Sequence, residues 1–160
     1  MVSILLRFGR DRRGFVTLFV LLYCLIAFAG LIAEYFRIMD LAQEAEFVLQ
    51  RGVNLSIVDT LLDSSRRDGI LLVRRDDVER RLRDYLSGEA NLDGSYRRLT
   101  RDGDEVWRIE FDRGGITVDE ENASLSVKGV VITKSIMSIL TGEIRIPFSL
   151  SSRATRFDSY

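Results

Sequence analysis

Hydrophobic and polar positions divide the chain into three regimes. From Phe15 to Ala33 every residue is uncharged and nearly all are apolar, and the next charge is Glu34. One charge at the centre of a bilayer costs several kcal/mol, so a charge-free run of this length marks a membrane segment. As a helix it spans about 28 Å at roughly 1.5 Å per residue, close to the hydrocarbon thickness of a bilayer. Beyond Ala33 the pattern becomes one-sided. Ile38, Leu41, Ala45, Val48, Gly52, Leu55, Val58 and Leu62 recur at steps of three or four, and Arg37, Asp40, Glu44, Glu46, Gln50, Arg51 and Asn54 fill much of the remainder. This spacing predicts an apolar stripe on a helix. No proline interrupts it, so a single helix is expected from Phe15 to Asp63, on the order of 70 Å long.

After Asp63 the regime changes. Ser64-Ser65-Arg66-Arg67-Asp68-Gly69 reads as a helix end and loop, and Ile70 to Val73 as a short apolar strand or packed loop. Asp76, with Glu79 three residues on, predicts the N-cap of a second helix carrying Val78, Leu82, Tyr85 and Leu86 and ending at Gly88. From Ser95 the period shortens to two. Strands are expected at Tyr96 to Leu99, Val106 to Phe111, Ile116 to Val118, Leu125 to Ile132 and Glu143 to Leu150. Turns are expected at Asp102-Gly103, Asp112 to Gly115 and Asp119 to Asn122. Lys134 to Leu140 is ambiguous, Pro147 argues for an edge position or a bulge, and the tail from Ser151 is polar. Helices first and strands after define an α+β class: a long helix, a short helix, then an antiparallel sheet of four or five strands, one face of it covered by the helical stripe. The divisions are a basic leader (1–14), a membrane helix (15–33), its amphipathic extension (34–63) and an α+β domain (64–160).

Charge adds an orientation. Four arginines and Asp11 precede Phe15, a net +3, while the chain from Glu34 onward carries a net −4. Positive flanks stay on the cytoplasmic side, so the leader is expected inside and the domain outside. The acidic outer part gives no reason to expect a nucleic-acid partner. Histidine is absent and the only cysteine, Cys24, lies within the apolar run. Zinc sites of the Cys/His type, Ser-His-Asp and Cys-His catalysis, and intrachain disulfides are excluded. No cofactor, metal or catalytic residue is assigned, and the chain is not expected to be an enzyme.

The N-terminus admits three readings: a permanent anchor, a secretory signal cut after Ala27-Phe28-Ala29, or a leader cut after Gly14. Arg12-Arg13 also has the form of a twin-arginine signal. The unbroken helical pattern after Ala33 favours retention of the apolar segment. Ala29 and Ala33, beside Gly30, form a small-xxx-small pair of a kind common in membrane helices. Among polar clusters, Arg66, Arg67, Arg74, Arg75, Arg80, Arg81 and Arg83 could meet an anionic partner. Their interleaving with Asp68, Asp76, Asp77, Glu79 and Asp84 favours a salt-bridged surface. Asp119-Glu120-Glu121 lacks the spacing of a cation loop and reads as a turn. Asn54-Leu55-Ser56 and Asn122-Ala123-Ser124 match the glycosylation sequon. Trp107 and Phe111 read as core.

Arg12-Arg13-Gly14-Phe15, the apolar helix behind it, its amphipathic extension and the later sheet together resemble type IV pilin-like proteins, in particular the TadE/TadG-like pseudopilins of tight-adherence (Tad) pilus systems. The resemblance implies cleavage between Gly14 and Phe15 by a prepilin-type peptidase. It also implies packing of the helix, through the Ile38 to Leu62 stripe, against other pilin-like subunits or pilus assembly proteins, with membrane lipid around the anchor. Pilins usually carry a glutamate five residues into the mature chain; here that position is Phe19. This fits a minor component, or one that stays in the membrane, better than a bulk filament subunit. The expected function is thus a single-pass structural component of a Tad/type IV pilus or related secretion assembly. The alternative is a membrane-tethered sensory or wall-binding ectodomain.

Overall fold

The computed structural model describes residues 12–61, 72–135 and 142–154. Leu62, the Ser64 to Gly69 loop, Arg66 and Arg67, most of the leader, most of the ambiguous Lys134 to Leu140 segment and the end of the tail lie outside them. The described elements are helix α1 (Arg12–Thr60), helix α2 (Arg75–Asp84) continued by one π-helical turn (Tyr85–Glu89), and strands β1 (Arg97–Leu99), β2 (Glu105–Asp119), β3 (Ser124–Lys134) and β4 (Glu143–Arg153). The strands form one antiparallel meander in the order β1-β2-β3-β4. The fold is α+β, with four strands. By contacts the chain divides into two units, Met1–Met39 and Asp40–Tyr160.

In the second unit one hydrophobic cluster joins α1, α2 and the inner face of the sheet. It includes Ala45, Leu49, Val53 and Ile57, then Val78, Leu82, Tyr85 and Leu86, then Trp107, Ile109, Leu125, Val127, Val131 and Leu150. Period-two alternation puts Leu125, Val127 and Val131 on the same face of β3. Phe111 on β2 and Phe148 on β4 flank Gly129, and Phe111 meets Tyr96 edge-on at 5.2 Å.

The stripe on α1 differs from the expected one. Ala45 and Gly52 are buried and Ile38, Leu41, Val48 and Leu55 half-buried, but Val58 is 52% exposed. The buried row runs instead through Ala45, Leu49, Gly52, Val53, Ser56 and Ile57. The expected residues advance by only about 3.4 per turn from Leu41 to Val58, while a helix turns every 3.6, so their row slides roughly 100° round the cylinder. Ser56 belongs to the true row because its hydroxyl donates to the Gly52 carbonyl at 2.6 Å, which satisfies it locally inside the core.

Two further expectations are corrected. Asp112 to Gly115 is no turn: β2 runs through it, and the register against β3 slips between Phe111 and Ile116. Gly114 takes φ +72°, and a β-carbon on Gly115 would stand 2.4 Å from the Lys128 carbonyl oxygen, so glycine absorbs the extra residues as a bulge. Asp76 is not the N-cap of α2, which starts one residue earlier with Arg74 in an extended conformation. The second helix carries Tyr85 and Leu86 as expected, the last turn being a π turn that buries both and ends at Glu89, one residue past Gly88. The Asp102-Gly103 turn forms with Gly103 at φ +89°, and Pro147 lies on β4, an edge strand that tolerates a missing N–H.

Gly52 sets how closely α1 meets the π turn. A β-carbon there would stand 2.7 Å from Cδ1 of the buried Tyr85 ring and 3.3 Å from Leu82 Cδ1. Gly52→Val should therefore destabilise the full chain by about 1–3 kcal/mol through overpacking. Gly88→Ala, whose new methyl meets nothing within 4 Å, should stay within about 0.5 kcal/mol. Denaturant titration in detergent, followed by the fluorescence of Trp107, checks both; equal stabilities would refute the close-packing account.

Candidate functional site

The first site is the apolar half of α1. Every residue from Phe15 to Ala33 is exposed, Tyr23 at 75% and Phe28 at 65%. One helix, and one only among the described residues, is long and apolar enough to cross a membrane, and it lies near the N-terminus. Its backbone hydrogen bonds close within the segment, as hydrocarbon demands. The apolar run ends in a compact polar group. Arg37 Nε and Nη2 each donate to Glu34 at 2.8 Å, a bidentate pair that neutralises the first acid after the span. Tyr35 and Phe36, both exposed, meet edge-on at 5.8 Å beside it, and tyrosine is a residue type enriched where hydrocarbon gives way to headgroups.

The expected processing junction lies in helical backbone. Gly14 and Phe15 are both within α1, Gly14 half-buried and Phe15 exposed, with its ring 4.7 Å from that of Phe19. A peptidase acting there would have to open the first turn of α1, whose leading N–H groups have no intrahelical acceptor. Gly14, Phe15 and Ile38 fall in the first unit, and the stripe residues from Leu41 to Val58 in the second.

Three arginines of the arginine-rich stretch are paired. Arg75 bonds Glu79, Arg80 bonds Asp77, and Arg81 bridges Asp59 on α1 and Glu89 after α2, at 2.6–2.9 Å. The acidic turn also has partners. Asp119 accepts from the backbone and side chain of Asn122, which hold its carboxyl below the ordinary range. Glu120 accepts from the Arg75 N–H at 2.7 Å and so caps α2. The sequence reading missed that role because the cap lies forty-five residues from its helix. No group of metal-ligating side chains stands together among the described residues. Asn54 accepts from Gln50 on α1, with Ser56 of that sequon buried, whereas Asn122 is exposed at the hairpin tip and accepts from Arg153. Trp107 is fully buried, and its Nε1 has no acceptor among the described residues.

The outer face of the sheet carries the densest charge network. Arg108 on β2 donates twice to Glu143 on β4, at 2.8 and 3.0 Å, and also pairs with Glu105 and Glu110; Arg145 pairs with Glu110. The Arg108–Glu143 pair crosses over β3, where Ile132 lies in register with both Arg108 and Arg145 and is fully buried outside the main core. Register puts Ile132 between Arg108 and Arg145 on neighbouring strands, on the face that carries the charge network.

The hydrogen bond from Arg108 holds the Glu143 carboxyl below its ordinary value. Its folded form thus binds protons less readily than its unfolded form. The stabilisation is complete above the unfolded value and is lost as pH falls through the folded one. Chemical stability should decline on acidification below about pH 4.5, and Arg108→Met should flatten that decline. Urea midpoints at stepped pH check this; parallel profiles for the two proteins would refute it. Comparison of the chain with protein-family models, with curated proteins and with solved structures returned no match in any of the three.

Proposed function

We propose that the chain is a single-pass, membrane-anchored structural protein, a minor pilin or pseudopilin-like component of a Tad/type IV pilus or related secretion assembly. Phe15 to Ala33 is the anchor, the leader faces the cytoplasm, and the α+β unit lies outside. The observation that carries the reading is the unbroken helix from Arg12 to Thr60, apolar all round at first and one-sided thereafter, followed by an antiparallel sheet. An exposed apolar surface of that extent needs lipid or protein around it. The basic Arg12-Arg13-Gly14 start gives the orientation and the junction at Phe15. Histidine is absent and there is one cysteine, which excludes Ser-His-Asp, Cys-His and Cys/His zinc chemistry, and the role proposed is structural rather than catalytic. Partners are membrane lipid, a prepilin-type peptidase and other subunits of the assembly.

Phe19 in place of the usual glutamate supports a second reading, a tethered ectodomain that keeps its leader. Intact mass separates the two. The protein should resist carbonate extraction and begin at Phe15. A start at Met1 would favour the tethered ectodomain, and release by carbonate or a start at Gly30 would overturn the anchor.

A further inference from the structure

The face of α1 turned away from the core carries Gln43, Glu46, Phe47, Arg51 and Asn54, all exposed, with Gln50 half-buried. Phe47, at 69%, is the most exposed large apolar side chain described beyond Met39. Two shallow depressions flank its ring. One, of about 280 Å³, is lined by Gln43, Glu46, Phe47 and Gln50. The other, of about 290 Å³, is lined by Phe47, Gln50, Arg51 and Asn54, with Leu55 at its side. Each quartet has the spacing i, i+3, i+4, i+7. That is the four-residue hole into which a facing helix inserts one side chain in coiled-coil packing.

We infer that Gln43 to Asn54 of α1 form the seam of a parallel two-helix coiled coil with the same segment of a second copy of this chain. The two overlapping holes fix one heptad register: Phe47 and Asn54 at a, Gln43 and Gln50 at d, Glu46 at g, Arg51 at e. In a parallel pair a g residue faces the e residue five positions later on the other helix. Here Glu46 faces Arg51 of the second copy, and two-fold symmetry repeats the pair. Neither side chain makes an ion pair among the described residues. Asn54 at a is the polar residue type that selects two strands in register. The amides of Gln43, Gln50 and Asn54 each carry donor and acceptor and so complement their own copies. Knob, hole and charge all complement themselves, which is why the occupant is the same chain. The g position just before Asn54, Val53, and the d position after it, Ile57, are both buried in the chain's own core, so the seam stops at Asn54.

A seam this short is marginal in water. The proposal rests on the anchor of the previous subsection, which confines both copies to one membrane, points them the same way and raises their local concentration. The test uses the full chain in membranes with Cys24→Ser and a single new cysteine. Gln50→Cys, at d, should oxidise to a disulfide dimer much faster than Asp102→Cys at the exposed hairpin tip. In the Gln50→Cys background Glu46→Arg alone, or Arg51→Glu alone, should slow cross-linking about fivefold, and the double exchange should restore it. Equal cross-linking at positions 50 and 102, or no rescue by the double exchange, overturns the seam. Release of the chain by carbonate overturns the anchor instead, so the two failures are told apart.

Discussion

A peptide group cannot be left without a hydrogen-bond partner in hydrocarbon, and the one described helix long and apolar enough to cross a membrane meets that constraint in its own backbone. Helix α1 meets it from Phe15 to Ala33 by closing every bond within itself, and the same ladder continues without proline to Thr60. The backbone is therefore identical in both stretches; only side chains distinguish a segment suited to lipid from one suited to a protein core. The change falls at Glu34, where the first acid is at once matched by Arg37 at two hydrogen bonds.

In the second unit α1 becomes one wall of a small core, and small residues decide how the walls meet. Gly52 admits the Tyr85 ring and Gly115 admits the Lys128 carbonyl. The β2–β3 hairpin then returns to close the start of α2 through Glu120. On the far side of the sheet, salt bridges at the surface are individually weak, yet Arg108 serves three carboxylates and spans a strand. Its bonds to Glu143 tie β2 to β4 across β3, where Ile132 lies in register with Arg108.

What could be read from the chain followed from local rules. The charge-free run, the Asp102-Gly103 turn, the Asp119 to Asn122 turn, the alternation of β3 and the edge placement of Pro147 all follow from neighbours a few residues apart. The misreadings have the opposite character. Gly114-Gly115 has the composition of a turn, and only pairing with β3 makes it a bulge. Asp76 has the chemistry of a cap, but a carboxylate from a distant hairpin takes that place. Ser56 is polar and was passed over, although its bond to Gly52 allows it into the core. Of the candidate site, the long apolar helix was legible; the helix face that packs was not, because steps of three and four look alike on paper while a mean of 3.4 rotates the stripe.

That rotation separates two jobs on one helix. With Leu49, Val53 and Ile57 committed to the core, the opposite side from Gln43 to Asn54 is left with one bare aromatic among amides and two opposite charges. Were the face meant only for water, Phe47 would be a cost without return and the placement of Glu46 five residues before Arg51 would have no consequence. In a parallel pair the ring fills a hole and the charges meet, while the amides hold the association weak and specific in register. The proposed seam is of a kind that is silent in dilute solution and becomes effective once copies share a membrane, so under the proposed anchoring the apolar half of α1 would set the concentration at which the polar half acts.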